Sequence, residues 1–167
     1  MTSTDSRPDK DRKRLPAHAD RDRRWLSAAL AEATKTGADV PVGAVIVRDE
    51  AIVGRGHNQR EATGDPSAHA EIVALRQAAQ ETGSWRLNGA TIYTTLEPCP
   101  MCAEAIIQSR VSRLVFGAYD PASGAAGSAF NLFIPGRIFP IPEVVGGIRE
   151  ADCQRLLTDF FRRSKGR

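Results

Sequence analysis

The sequence predicts an α/β fold in which one sheet carries helices on both faces. Segments rich in β-branched residues alternate along the chain with segments whose apolar residues recur at helical spacing. This alternation is typical of α/β proteins. At 167 residues the chain fits one domain that is large enough to bury a core.

The first helix is predicted from Asp20 to about Gly37, because apolar residues recur at Leu26, Leu30 and Ala33. Strands over 40–47 and 51–53 follow as a hairpin, since both are rich in β-branched residues and a charged turn separates them. The glycine-containing segment 54–58 is predicted to be a loop.

A second helix is predicted from Ala68 to about Glu81, because Asp65 offers a cap and Pro66 suits a first helical turn. The remaining elements follow in order: a strand over 90–96, a helix over 100–109, a strand over 113–117, a long loop with a short helical turn over 122–142, a short strand at 144–145, and a last helix carrying Cys153, Leu156, Leu157, Phe160 and Phe161 on one face.

Residues 1–19 and 20–167 differ in composition. The first segment is polar and nearly free of large apolar residues, which predicts a disordered tail, and its basic run over 12–14 is interpreted as a solvated part of that tail. The second segment is predicted to form the folded domain.

Composition excludes several classes of protein. Apolar runs are far shorter than the roughly 20 residues that a membrane span requires. The polar N-terminus lacks the apolar stretch of a signal peptide, so a cytoplasmic location is the expectation. The net charge of +3 permits an acidic partner such as RNA but does not require one.

Two fragments carry candidate chemistry, His69-Ala70-Glu71 and Pro98-Cys99-Pro100-Met101-Cys102. Each is predicted at the start of a helix, where the helix dipole favours the thiolate form of cysteine. The pair Cys99 and Cys102 can hold a metal from one side, and His69 can supply a third ligand. The sequence therefore predicts a zinc site.

The number of ligands separates a structural zinc site from a catalytic one. A structural site has four protein ligands, whereas a catalytic site has three and an open position. Among the other donors, His18 lies in the predicted tail, Cys153 is expected in the core, and His57 stays a candidate because its loop could approach the site. Three ligands are favoured.

Glu71 is predicted to be the proton carrier. Residues two apart do not share a helix face, so His69 and Glu71 can serve one cavity only at the end of the helix. A carboxylate there can move the protons of a water activated by a metal. Two other interpretations stay open at this point, a redox Cys-x-x-Cys pair and a non-catalytic RNA-binding module stabilised by zinc.

A His-x-Glu followed by Pro-Cys-x-x-Cys is the signature of zinc deaminases. Around these motifs the chain resembles the bacterial tRNA-specific adenosine deaminases of the cytidine deaminase-like superfamily, from about residue 20 to 165. The resemblance extends to further segments: Val40-Pro41-Val42-Gly43-Ala44, Asp65-Pro66-Ser67-Ala68, Thr95-Leu96-Glu97, Val115-Phe116-Gly117-Ala118, Gly124-Ala125-Ala126-Gly127-Ser128 and Phe160-Phe161-Arg162.

The resemblance implies a three-layer α/β/α sandwich with a mixed five-stranded sheet, a homodimer, bound Zn²⁺ and conversion of adenosine to inosine at the wobble position of a tRNA anticodon. It also implies that Asn58, Ala70 and Asp120 bind the substrate nucleotides. Phe161 and the basic residues after it would contact the anticodon stem-loop.

The chain departs from the family in the long loop, where Phe139-Pro140 replaces the Asn-His that the family commonly carries. A deaminase of a different nucleic acid, or of a free base or nucleoside such as guanine, adenine or cytosine, is therefore kept as the alternative.

Overall fold

A computed structural model describes residues 16–166. These residues form one five-stranded sheet and the helices that surround it. The predicted tail, up to residue 15, lies outside the described residues. The elements are as follows: α1 Pro16–Ala33, β1 Gly43–Arg48, β2 Ala51–His57, α2 Arg60–Thr63, α3 Ala70–Thr82, β3 Thr91–Leu96, α4 Pro100–Gln108, β4 Arg113–Ala118, β5 Glu143–Val145 and α5 Glu150–Lys165.

The strand order is β2-β1-β3-β4-β5. Strand β1 pairs antiparallel with β2 and with β3, whereas β3, β4 and β5 run parallel. The mixed five-stranded sheet that the resemblance implied is therefore confirmed.

Alternating residues of the strands direct side chains to two helical layers. On β3, the Tyr93 hydroxyl reaches Asp22 of α1, whereas the Thr94 hydroxyl reaches Glu71 of α3. Helix α5 packs on the same face as α1, because a Cβ on Gly117 of β4 would lie 2.3 Å from Cys153 Sγ. Helices cover both faces, which confirms the three-layer architecture, and Cys153 lies in the core as predicted.

Strand β2 is longer than predicted and continues to His57, through the segment expected to be a loop. The physical reason is close contact with α3. A Cβ on Gly54 would lie 2.4 Å from the carbonyl oxygen of Ala74, and one on Gly56 would lie 2.2 Å from that of Ala70. These glycines therefore permit backbone contact between strand and helix and do not mark a turn.

The Gly56→Ala substitution is expected to lower the free energy of unfolding by about 1–3 kcal/mol, because the added methyl group would overlap the α3 backbone. Urea denaturation measures the change. Gly166→Ala is the control, since its Cβ would lie 3.8 Å from the Arg163 carbonyl oxygen. Equal stability of the two variants would contradict this account of β2.

Three smaller differences concern the helices: two start at other residues than predicted, and one was not predicted. Helix α1 begins at Pro16, four residues before the predicted start, so residues 16–19 belong to the helix and not to the tail. The short helix α2 was not predicted. Helix α3 begins at Ala70, because Asp65 does not cap it; the Asp65 carboxylate instead accepts hydrogen bonds from the backbone and hydroxyl groups of Ser67, at 2.8 and 2.7 Å.

A buried ion pair joins α1 to the sheet. Arg113 Nη1 and Nη2 of β4 donate to the two carboxylate oxygens of Asp22, at 2.6 and 2.9 Å, and Asp22 is fully buried. Tyr93 Oη donates to the same carboxylate at 3.3 Å. Burial, assisted by the charge of Asp22, raises the pKa of Tyr93 to about 12. None of the helices within residues 16–166 combines the length and the apolar character that a membrane span requires.

Candidate metal centre and catalytic site

The candidate ligands lie at the N-termini of two neighbouring helices, as the sequence predicted. His69 is the residue that precedes α3, and Cys99 is the residue that precedes α4; both have extended backbone angles. Pro100 occupies the start of α4, where its missing N–H costs no helical hydrogen bond. Cys102 lies in the first turn of the same helix. The two helix starts therefore bring all three side chains to one place.

His69 Nδ1 lies 3.6 Å from Cys99 Sγ and 3.5 Å from Cys102 Sγ. One donor atom from each of the three residues falls within 4.8 Å of the others. Among the described residues, His69, Cys99 and Cys102 are a group of three histidine, cysteine or acidic side chains close enough to hold a metal ion. Two sulfurs and one imidazole match the ligand preference of zinc and leave one tetrahedral position for another molecule.

The other candidate donors contact different partners. His57 Nδ1 lies 3.9 Å from Glu32 Oε2, and His57 Nε2 lies 3.4 Å from Gln59 Nε2. His18 belongs to α1, where its Nδ1 lies 3.4 Å from Arg21 Nη2. The structure thus favours three protein ligands over four.

Glu71 lies in the first turn of α3, and its carboxylate contacts the same group of side chains. Its side chain is 3 % exposed, Oε2 accepts a hydrogen bond from Cys102 Sγ at 3.4 Å, and Oε1 accepts one from Thr94 Oγ1 at 3.5 Å. Burial raises the pKa of this carboxyl group. A buried carboxylate beside a metal site is placed to accept and return a proton.

Neighbouring groups shift the pKa values of both cysteines and of His69. A hydrogen bond from Cys102, together with one from His69, lowers the pKa of Cys99 to about 4. The pKa of Cys102 is raised, first by that hydrogen bond and then by burial. The hydrogen bond to Cys99 raises the pKa of His69. A cation bound between these donors would displace protons from the cysteines, which is the usual chemistry of thiolate ligation.

Two of the predicted substrate residues lie beside the start of α3. Asn58 follows β2 and is 9 % exposed; its Nδ2 donates to the Val40 carbonyl at 3.2 Å, and its Oδ1 accepts from the Arg60 amide at 3.3 Å. Gln59 N donates to the Ala68 carbonyl at 2.9 Å, which ties this segment to His69. Ala70 is fully buried at the first position of α3.

The other two predicted substrate residues have different surroundings. The Asp120 carboxylate closes a turn by accepting from the Ala122 and Ser123 amides and from the Ser123 hydroxyl, at 3.0, 3.3 and 2.7 Å. Phe161 is 49 % exposed and contacts Phe160 edge-to-face on α5, on the sheet face opposite α3. Their roles in substrate binding stay predictions.

Phe139, part of the departure from the family, packs beneath Arg110, whose guanidinium carbon lies 4.5 Å from the ring centroid. The replacement is therefore accommodated by contact with the residues after α4.

Sequence reasoning missed Glu97 as a residue of the site. It is 1 % exposed, it precedes Pro98 and Cys99, and its carboxylate accepts hydrogen bonds from the loop that contains Asp120. The available signal was an acidic residue directly after a buried strand, a position where a charge requires partners.

Comparisons with known proteins agree with this geometry. Residues 19–118 match the family model of the cytidine and deoxycytidylate deaminase zinc-binding region. The tRNA-specific adenosine deaminase of Bacillus subtilis is 45% identical over 84% of this chain and 89% of that protein. Its counterpart from Haemophilus influenzae is 44% identical over 86% of this chain and 85% of that protein.

Solved structures give the same result. One chain, from a study of A-to-I editing by tRNA:A34 deaminases at the wobble position of transfer RNA, has 39% identity and a TM-score of 0.75, over 80% of this chain and 99% of that one. Guanine deaminase from Bacillus subtilis has 38% identity and a TM-score of 0.56, over 57% of this chain and 63% of that one. The chain therefore belongs to the tRNA-specific adenosine deaminase family, among the proteins that carry the zinc-binding region of cytidine and deoxycytidylate deaminases.

Proposed function

We propose that this protein is a zinc-dependent hydrolase that converts adenosine to inosine at the wobble position of tRNA. The single observation that carries the proposal is the three-donor group of His69, Cys99 and Cys102 with the buried Glu71 carboxylate 3.4 Å from one of its sulfurs. The similarity to tRNA-specific adenosine deaminases supports the choice of substrate.

In this proposal His69, Cys99 and Cys102 hold the zinc ion. Bound zinc supplies a Lewis acid that makes water a competent nucleophile at neutral pH. Glu71 accepts a proton from the attacking water at one carboxylate oxygen and returns it to the ring nitrogen next to C6. The second proton, from the hydroxyl now on C6, passes to the departing amine as the C6–N bond breaks, so water and adenosine yield inosine and ammonia.

The surrounding residues would hold the nucleotide in place. Because contacts to Val40 and Arg60 orient the Asn58 carboxamide, Asn58 is proposed to hydrogen-bond the base. Ala70 at the start of α3 and Asp120 after β4 are proposed to contact the target nucleotide and its neighbour.

The anticodon stem-loop is the proposed partner, bound with Phe161 and the last turn of α5. That turn carries Arg162, Arg163 and Lys165, whose charges suit a phosphate backbone. A homodimer and a cytoplasmic location are proposed with it, since the resemblance implies the first and a tRNA substrate fits the second.

An anticodon stem-loop with adenosine at the wobble position is expected to gain inosine when incubated with zinc-loaded protein, because all parts of the proposed site are present. Nuclease digestion followed by mass spectrometry measures the product. The matched control is the same stem-loop with guanosine at that position. Chelated protein should lose activity, and zinc should restore it. Absence of inosine with one zinc bound per chain would refute the proposed substrate.

Deamination of a free base is the second candidate function. The apolar replacement Phe139-Pro140 and the similarity to a guanine deaminase favour it. Ammonia release from guanine, adenine or cytosine, with none from the stem-loop, would replace the first proposal by the second.

A further inference from the structure

Glu97 occupies the short connection between β3 and α4, two residues before Cys99. Its side chain is 1 % exposed, which makes it one of the most buried charged groups among the described residues. A buried carboxylate costs stability unless several donors satisfy it, so its position requires an explanation.

Four donors from one loop surround this carboxylate. Oε1 accepts hydrogen bonds from the Ala126 and Ser128 amides, at 3.0 and 3.1 Å. Oε2 accepts one from the Asp120 amide, at 3.0 Å, and another from the Ser128 hydroxyl. Each oxygen therefore faces at least one backbone N–H, an arrangement that a carboxylate satisfies and a carboxamide cannot, because one end of an amide is itself a donor.

The backbone around the carboxylate makes the same connection. The Glu97 amide donates to the Ala118 carbonyl at 2.8 Å, and the Ala125 amide donates to the Pro98 carbonyl at 2.7 Å. A Cβ on Gly124 would lie 2.4 Å from the Glu97 carboxyl carbon, so the loop at that point is in direct contact with the carboxylate. Segment 118–128 thus encloses the carboxylate of Glu97, which lies two residues before the candidate metal ligand Cys99 in the chain.

We propose that Glu97 is a positioning residue, which holds the Asp120–Ser128 loop at a fixed distance from the metal centre so that this loop can contact the substrate. The inference rests on the proposed function for its catalytic readout. It assigns no contact between Glu97 and the substrate, because the carboxylate is enclosed by the loop that it holds.

The Glu97→Gln variant tests the proposal. It keeps the size of the side chain but sets an amide N–H₂ against backbone N–H donors, so the loop should loosen. Amide hydrogen exchange over 120–128 is expected to accelerate by about tenfold or more, and kcat/KM for the stem-loop to fall by about 10–100-fold, mainly through KM, the range of activity loss seen when residues that support a metal site are changed. Zinc content should stay at one ion per chain and kcat should change less than KM.

Two control variants separate positioning from general damage. Glu81→Gln makes the same chemical change on the exposed end of α3 and should alter neither measurement. Ser128→Ala removes one of the four donors and should produce a smaller effect in the same direction; combined with Glu97→Gln it should add little, because the two residues share one interaction.

The exchange measurement keeps this test separate from the proposed function. If wild-type protein deaminates no RNA, the function fails, whereas exchange over 120–128 still decides whether Glu97 holds the loop. Unchanged exchange in Glu97→Gln would overturn the proposal, and so would zinc loss in a variant whose loop exchanges normally. A KM equal to that of wild type in an active enzyme would also overturn it.

Discussion

The Glu71→Gln variant is expected to lose about 100- to 10,000-fold in the rate of inosine formation, the range attributed to general acid–base catalysis. Glutamine fills the same buried space beside Cys102 and Thr94 but cannot accept and return a proton. The loss should appear in the rate constant of a single turnover, measured with enzyme in excess over the wobble-adenosine stem-loop. Affinity for the stem-loop should change little.

Zinc content and folding are measured on the same sample, because a variant that loses the metal would be inactive for another reason. Metal analysis should give one zinc ion per chain, and the unfolding transition should resemble that of wild type. A zinc-loaded Glu71→Gln protein within a few-fold of wild-type activity would show that another group carries the proton.

The Arg113→Met variant is expected to lower the free energy of unfolding by about 3–5 kcal/mol, because it leaves the Asp22 carboxylate buried with its principal partner removed. Tyr93 keeps its hydrogen bond to that carboxylate but carries no charge to balance it. Equilibrium urea denaturation measures the loss.

Replacing both members of the pair, as Asp22→Leu with Arg113→Met, should recover most of this stability, since neither charge is then buried alone. The matched control is Arg155→Met, which removes one of the two arginine partners of Asp152 at a side chain that is 68% exposed, and it should cost under about 1 kcal/mol. If the single and the double variants are equally unstable, the loss comes from packing and not from an unpaired charge.

Local sequence was sufficient to predict the metal centre, because its residues lie where helices begin. Proline beside Cys99, and Pro66 three residues before His69, indicate helix starts within a few residues of the ligands, although Asp65 does not cap α3 as predicted. The two-residue separation of His69 and Glu71 then required a shared site at the helix end, and the structure has Glu71 there, in contact with Cys102. Alternation of strands and helices was likewise enough to predict layers on both faces of the sheet.

Features that depend on distant residues could not be predicted in the same way. Gly54 and Gly56 have the composition of a loop, and only the approach of α3 explains why they lie in a strand. Arg113 and Asp22 are 91 positions apart, and neither sequence neighbourhood indicates the other. Glu97 belongs to the segment Thr95-Leu96-Glu97, but the donors that satisfy its carboxylate lie in a loop that begins more than twenty residues later.

The contact between β2 and α3 is expected to affect the affinity of the site for zinc. Backbone packs directly on backbone at Gly54 and Gly56, so at these two positions no β2 side chain separates the strand from α3, the helix that follows His69. This packing should hold the His69 imidazole close to the sulfurs of Cys99 and Cys102, so that zinc binding costs little conformational entropy. Loosening this contact should therefore weaken zinc affinity even though no ligand is altered.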